Sequence, residues 1–194
     1  MSTHLDLNSE AQFIEGNKYF VQGDYAQAIQ YYQRAIRINP VLYNAYLNAG
    51  NAYYRLKNDE LALTYFSQGI KVDGNCKTAF YNRALTYTRL GKYDLALEDY
   101  TSVLHLDANA AEAYINRGSI YMKLSQPEMA IADFNRAIEL TDAWQAYYNR
   151  ALAFEKLEQM DKAEQDFITA LRLKTETVSG LNGTNLRNKH YKNR

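Results

Sequence analysis

A chain of 194 residues that is 47% hydrophobic can bury one continuous core, and two prolines and nine glycines among many Ala, Leu, Tyr, Gln, Glu and Lys exclude a sandwich or barrel in favour of helices. Twenty-two basic residues balance 22 acidic ones, so no overall field draws in nucleic acid or an anionic membrane. The exception is the last 21 residues, with five basic side chains and one acidic, so that tail and body carry opposite sign.

The chain opens on MSTHLDLNSE, which has neither the basic nor the apolar stretch of a secretion signal, and no run of about 18 apolar residues follows. A cytoplasmic protein with a flexible segment over 1–8 is the expectation. From residue 9 one unit recurs five times, over 9–42, 43–76, 77–110, 111–143 and 144–175. The first unit holds Gly16, then Tyr19, a breaker at Gly23-Asp24, then Ala28, Tyr32 and Ala35. The second repeats the pattern with Gly50, Tyr53, Asn58-Asp59, Ala62, Phe66 and Gly69. The third has Ala84, Tyr87, Gly91-Lys92, Ala96 and Tyr100, but Val103 in place of the last small residue.

The fourth unit holds Gly118, Tyr121, Ala130, Phe134 and Ala137, and its breaker Ser125-Gln126-Pro127-Glu128 has capping-box spacing with Pro127 in the first turn. It is one residue short, which predicts a tighter or irregular turn before Trp144. The fifth holds Ala151, Phe154, Ala163, Phe167 and Ala170. Residues 176–194 form a basic, Asn-rich tail without helical periodicity, expected to be mobile or packed on the last unit. The lone Cys76 has no partner for an internal disulfide, and His4, His105 and His190 are too scattered for a metal site.

Spacings of three and four are helical, so each unit reads as a hairpin of helix A and helix B. Small residues mark where two helix axes approach closely, and aromatics fill the wider gaps beside them. One hairpin cannot bury its own apolar face, so helix A of each unit must cover helix B of the unit before.

Counted from the first residue of each unit, the small residue stands at position 8, the aromatics at 11 and 24, Ala at 20, the second small residue at 27, and Pro40 at 32. This pattern resembles the tetratricopeptide repeat over about residues 9–175. The resemblance implies an all-α, right-handed superhelical solenoid of five hairpins, whose concave groove is lined by positions 2, 5, 6, 9, 12 and 13 of helix A. Eleven of the 18 tyrosines fall at framework positions 4, 11, 17 or 24, which makes them core and not a stacking platform for bases.

Comparing the units exposes further columns. Position 7 is Arg83, Arg117 and Arg150 in units 3–5, and position 23 is Asp99, Asp133 and Asp166. Units 1 and 2 lack both, which predicts structural ion pairs within a unit or across to the next and makes units 3–5 read as one block. Position 6 is Asn48, Asn82, Asn116 and Asn149, and position 9 adds Asn17 and Asn51. Asn disfavours a helix interior by roughly half a kcal/mol against Ala, so a recurring Asn needs a compensating task.

In the resembled family such a row looks like the ladder that grips extended peptides; the same amides could also organise the stack by bonding to neighbouring units. Position 13 adds Arg55, Arg89, Lys123 and Lys156, which complement the helix dipole and favour acidic peptides or a free C-terminal carboxylate. Phe13, Phe20, Leu47, Tyr54, Tyr81, Ile115 and Tyr148 complete the groove, either as anchors for a bound segment or as packing. The family's carboxylate clamp matches only at Asn17 and Asn48, since Phe13, Thr78 and Asn82 hold its cation positions.

No phosphate-cradling glycine loop, metalloprotease motif, paired cysteines or nucleophile elbow occurs, so neither an enzyme nor a cofactor is expected. The expected function is a non-catalytic adaptor that holds an extended or helical segment of a partner protein. The last helix B keeps Phe167, Ile168, Leu171 and Leu173 with no following unit in the pattern, so self-association through this end is the alternative. Nucleic-acid contact through the basic tail is a weaker one.

Overall fold

The computed structural model describes residues 2–187, with side chains over 8–177. Among the described residues there are ten helices and no strand: α1 (Ser2–Val21), α2 (Tyr25–Ile38), α3 (Tyr43–Arg55), α4 (Asp59–Val72), α5 (Lys77–Arg89), α6 (Tyr93–Leu106), α7 (Ala111–Lys123), α8 (Pro127–Leu140), α9 (Trp144–Lys156) and α10 (Met160–Arg187). Odd-numbered helices are the A helices and even-numbered the B helices of five successive hairpins. The architecture is an all-α helical repeat solenoid. The hairpins fall into two compact units, α1–α6 within Met1–Ala108 and α7–α10 within Asn109–Arg194. The division lies between the third and fourth repeats, inside the three that share Arg at position 7 and Asp at position 23.

The core is built as the spacing requires. Ala28, Tyr32, Ala35, Ala62, Phe66, Ala96, Tyr100, Ala130, Phe134 and Ala137 of the B helices are fully buried. Against them stand the small residues of the A helices. A Cβ at Gly16 would lie 2.6 Å from the Tyr32 ring, at Gly50 2.6 Å from Phe66, and at Gly118 2.7 Å from Phe134. Position 8 is therefore small because the position-24 ring of the same hairpin occupies the space of its side chain. Val103, the exception at position 27, is nonetheless buried.

Every A-to-B turn uses one backbone device. Position 15 is left-handed in all five repeats, with φ of 83° at Gly23, 58° at Lys57, 70° at Gly91, 57° at Ser125 and 57° at Glu158. The following N–H then reaches back to the position-11 carbonyl, as in Asn58 N–H to Tyr53 O at 3.0 Å and Gln126 N–H to Tyr121 O at 2.9 Å. This closes a Schellman motif over the end of helix A. Helix B starts on a true side-chain cap at Asp24, which accepts from Gln27 N–H, and at Asn58, which accepts from Leu61 N–H. The capping box expected at Ser125 and Glu128 does not form, because Ser125 is taken as the left-handed residue and Gln126 becomes the N-cap of α8 without a side-chain bond. The short fourth repeat drops the turn that follows Asn39, Asp73 and Asp107 in the first three, and 141–143 run extended into α9.

Helix extents differ from the sequence reading at both ends. Helix α1 begins at Ser2 rather than at residue 9, and α10 runs to Arg187 rather than ending at 175. No proline follows Pro127 to stop α10, and Arg172 pairs with Glu176 one turn on at 3.2 Å, carrying the helix past the repeat boundary. The remainder of the expected tail, 188–194, lies outside the described residues.

Candidate functional site

The candidate groove residues fall on the A helices, one set in each unit. In the first unit, α1, α3 and α5 lie side by side. Asn48 Nδ2 donates to Asn17 Oδ1 at 2.8 Å, and Asn82 Nδ2 donates to Asn51 Oδ1 at 2.7 Å, so position 6 of one repeat holds position 9 of the repeat before. Asn17 Oδ1 also accepts from the buried Tyr32 hydroxyl at 2.9 Å, and burial pushes that phenol up to about 12. The two amide pairs are thus stacking fasteners in which the side-chain carbonyls of Asn17 and Asn51 are engaged. Among the described residues the Nδ2 groups of Asn17 and Asn51 donate to nothing.

The position-13 arginines of this unit are already engaged. Arg89 lies 3.6 Å over the Tyr54 ring, donates from Nε to Asp59 Oδ2 at 2.9 Å and from Nη2 to Tyr54 O at 3.2 Å, and pairs with the second Asp59 oxygen. Arg55 lies 5.1 Å over the Tyr25 ring. Each cation therefore reaches position 17 of the preceding repeat. Tyr54 is half-buried under Arg89, and half-buried Tyr81 meets Tyr100 edge-on at 5.8 Å.

In the second unit Asn149 Nδ2 donates to Ser119 Oγ at 3.3 Å, the same link from position 6 to position 9. Asn116 is half-buried, while Lys123 and Lys156 are exposed. Tyr148 is 44% exposed and meets Trp144 and Phe167 edge-on at 6.4 and 5.5 Å.

The Arg and Asp columns meet within each hairpin. Arg83, Arg117 and Arg150 each grip Asp99, Asp133 and Asp166 through two N–H donors at 2.7–2.8 Å, and the three aspartates are at most 6% exposed. Asp99 holds the Arg83 guanidinium above its ordinary value against the pull of burial, and Asp133 does the same for Arg117. Rings at positions 4 and 11 flank each guanidinium at 5.6–6.0 Å: Phe80 and Tyr87, Tyr114 and Tyr121, Tyr147 and Phe154.

A column that sequence reasoning missed completes this seam. Arg83 Nη1 donates to Ser67 Oγ at 2.9 Å and Arg150 Nη1 to Asn135 Oδ1 at 2.6 Å, both at position 25 of the preceding repeat. Between repeats 1 and 2, which lack the Arg/Asp pair, Gln33 at position 25 donates instead to the Tyr53 and Tyr65 hydroxyls at 3.2 and 2.9 Å. The signal was present in the sequence, since position 25 is polar in repeats 1–4 (Gln33, Ser67, Thr101, Asn135) and apolar only at Ile168.

Burial pushes the Cys76 thiol up, away from the reactive thiolate. Among the described residues no group of three His, Cys, Asp or Glu could hold a metal ion, and no helix is long and apolar enough to cross a membrane.

No curated protein sequence matches the chain. Among solved structures it is similar to a crystal structure of MamA, with 21% identity and a TM-score of 0.80 over 84% of this chain and 96% of that one. A MamA structure from Desulfovibrio magneticus RS-1 gives 19% identity and 0.81 over 87% and 96%. YrrB, described as a TPR protein with an unusual peptide-binding site, gives 19% and 0.74 over 90% of each chain. These likenesses establish the fold. Family descriptions place the repeats independently: a TPR repeat description matches residues 16–57, and tetratricopeptide repeat descriptions match 43–76, 78–109, 111–140 and 145–177. With most of its length so matched, and with hairpins closed by small residues against rings, the chain belongs to the tetratricopeptide repeat family.

Proposed function

We propose that the chain is a non-catalytic interaction scaffold that holds an extended segment of a partner protein across the A-helix face of its first unit. The observation that carries this reading is the pair of asparagine fasteners, Asn17 with Asn48 and Asn51 with Asn82, which fix amide groups in place and leave the Nδ2 groups of Asn17 and Asn51 without an acceptor among the described residues. Donors held at successive repeats suit the backbone carbonyls of an extended peptide, whatever its side chains. Half-buried Phe13, Phe20, Leu47, Tyr54 and Tyr81 supply apolar surface beside them. On the second unit, exposed Lys123 and Lys156 on the A helices favour a segment that carries acidic residues or a free carboxylate.

The test is capture from a lysate of the source cell followed by mass spectrometry, comparing wild type with Asn51→Ala/Asn82→Ala. Removing both members of one pair leaves neither amide unsatisfied, so the array stays folded. Proteins retained by the wild type and lost by the variant support the groove. An unchanged retained set at an unchanged melting temperature rejects it.

A second reading rests on the last repeat. Ile168 and Leu171 on α10 are 62% and 65% exposed, and this apolar surface supports self-association of the scaffold.

A further inference from the structure

The outward face of α10 is chemically unlike the same face of the other B helices. Position 28 is apolar throughout, and Ile36, Ile70, Leu104 and Ile138 are buried or half-buried there, whereas Leu171 stands out in solvent. Position 25 carries the greater contrast. Ser67 and Asn135 each accept from the arginine of the next A helix, and Gln33 donates to Tyr53 of the next A helix and to Tyr65 of the B helix that follows it. Ile168 can make no such bond.

That substitution decides among occupants. An A helix like α5, α7 or α9 would set an arginine on Ile168 and leave its third donor unsatisfied. Helix α1, the A helix a head-to-tail second copy would offer, carries Glu15 at position 7, paired with Lys18 on an exposed face. Burying that carboxylate against Ile168 and Leu171 is unfavourable. What fits Ile168 is an apolar side chain.

We infer that the occupant is α10 of a second copy, packed antiparallel about a twofold axis at Ile168; this rests on the self-association reading above. Glu164, Ile168 and Arg172 lie four residues apart on one ridge of the helix, and all three are exposed. A twofold axis through Ile168 brings the two isoleucines together and sets each Glu164 against Arg172 of the other copy, twice over. The ridge is thus complementary to itself, as an isologous interface requires. Leu171 of each copy extends the apolar strip toward Gln165 of the other. Arg172 holds Glu176 of its own helix only by an exposed pair at 3.2 Å, so it exchanges partners at small cost. The contact is small, and the dimer is accordingly dependent on concentration.

Sedimentation velocity on the full chain over a range of concentrations tests this. Wild type is expected to show a monomer–dimer equilibrium. Glu164→Arg alone places four like charges around the axis, and Arg172→Glu alone does the same with opposite sign; each is expected to raise the dimer Kd about tenfold or more. Mixing the two variants restores both contacts, so the heterodimer is expected at wild-type strength. Circular dichroism checks that each variant is folded. A monomer at every concentration overturns both this arrangement and self-association. Association indifferent to either reversal, growth beyond a dimer, or singles that weaken without rescue on mixing leaves self-association standing and overturns the twofold α10 contact.

Discussion

Glycine in a helix interior costs about 1 kcal/mol relative to alanine, so what a Cβ would meet there decides the sign of the exchange. At Gly50 the alternative is a methyl group 2.6 Å from the fully buried Phe66 ring. A contact that short belongs at the upper end of the overpacking range of about 1–3 kcal/mol, so Gly50→Ala is expected to lower stability by about 2 kcal/mol net. Gly69 is the control: its nearest neighbour, Tyr46 Cβ, is 3.5 Å away, and Gly69→Ala is expected to raise stability by about 0.5–1 kcal/mol. Urea denaturation of both variants checks the pair.

Tyr32 gives a pH dependence at the same scale. Its phenol is raised to about 12 by burial, so above pH 10 the unfolded chain loses this proton while the folded chain keeps it. The sign follows: the contribution is complete below pH 10 and is lost as pH rises toward 12, by on the order of 2–3 kcal/mol. The difference in stability between wild type and Tyr32→Phe is expected to shrink over that window, read by denaturation at stepped alkaline pH.

At the scale of the helix, the A-to-B turns show a conflict between residue and backbone. Position 15 is left-handed in every repeat, yet only Gly23 and Gly91 are glycines. Lys57, Ser125 and Glu158 bear a strain that a side chain meets there, on the order of 1 kcal/mol. Exchanging Glu158 for glycine is therefore expected to raise the melting temperature, whereas Gly91→Ala, which puts a side chain on a left-handed residue, is expected to lower it; thermal denaturation of both variants checks this. The helices themselves were legible because small and aromatic residues recur at helical spacing and nothing competes with that pattern. Ser125 was misread because Ser-x-x-Glu serves equally as a capping box and as a turn residue followed by the first helical turn; the column of breakers one residue before each cap distinguishes them. The end of α10 was misplaced because the repeat period stops at 175 while helix propensity does not. Of the groove, the asparagine row was visible as a column, but the partners of each amide were not, since the accepting position 9 varies between Asn17, Asn51, Leu85, Ser119 and Leu152 and forms no column of its own.

Across the molecule, the repeats are held by different chemistry along the chain: neutral hydrogen bonds from Gln33 to Tyr53 and Tyr65 in one seam, Arg/Asp pairs with a third bond backward in later ones. The shared Arg and Asp columns suggested one block of repeats 3–5, whereas the compact units divide between repeats 3 and 4. Each Arg/Asp pair closes inside its own hairpin, so a shared column need not weld hairpins together. Solenoid stability is local, so damage in one hairpin is expected to remain in its unit. Asp133→Ala strands a largely buried guanidinium and is expected to cost about 3 kcal/mol. Hydrogen exchange is expected to show faster amides in α7–α10 and unchanged protection in α1–α4. Uniform loss across all helices would mean that the two units unfold as one.

The polar residue at position 25 also determines which repeats can be copied. A tandem duplicate of repeat 4 would offer Asn135 to both following arginines, its own Arg117 duplicate and Arg150. A tandem duplicate of repeat 5 would set one Arg150 guanidinium on Ile168, where nothing accepts its third bond. An engineer lengthening this array can therefore splice in the fourth hairpin unaltered, while the fifth joins only after Ile168 is exchanged for an acceptor such as asparagine.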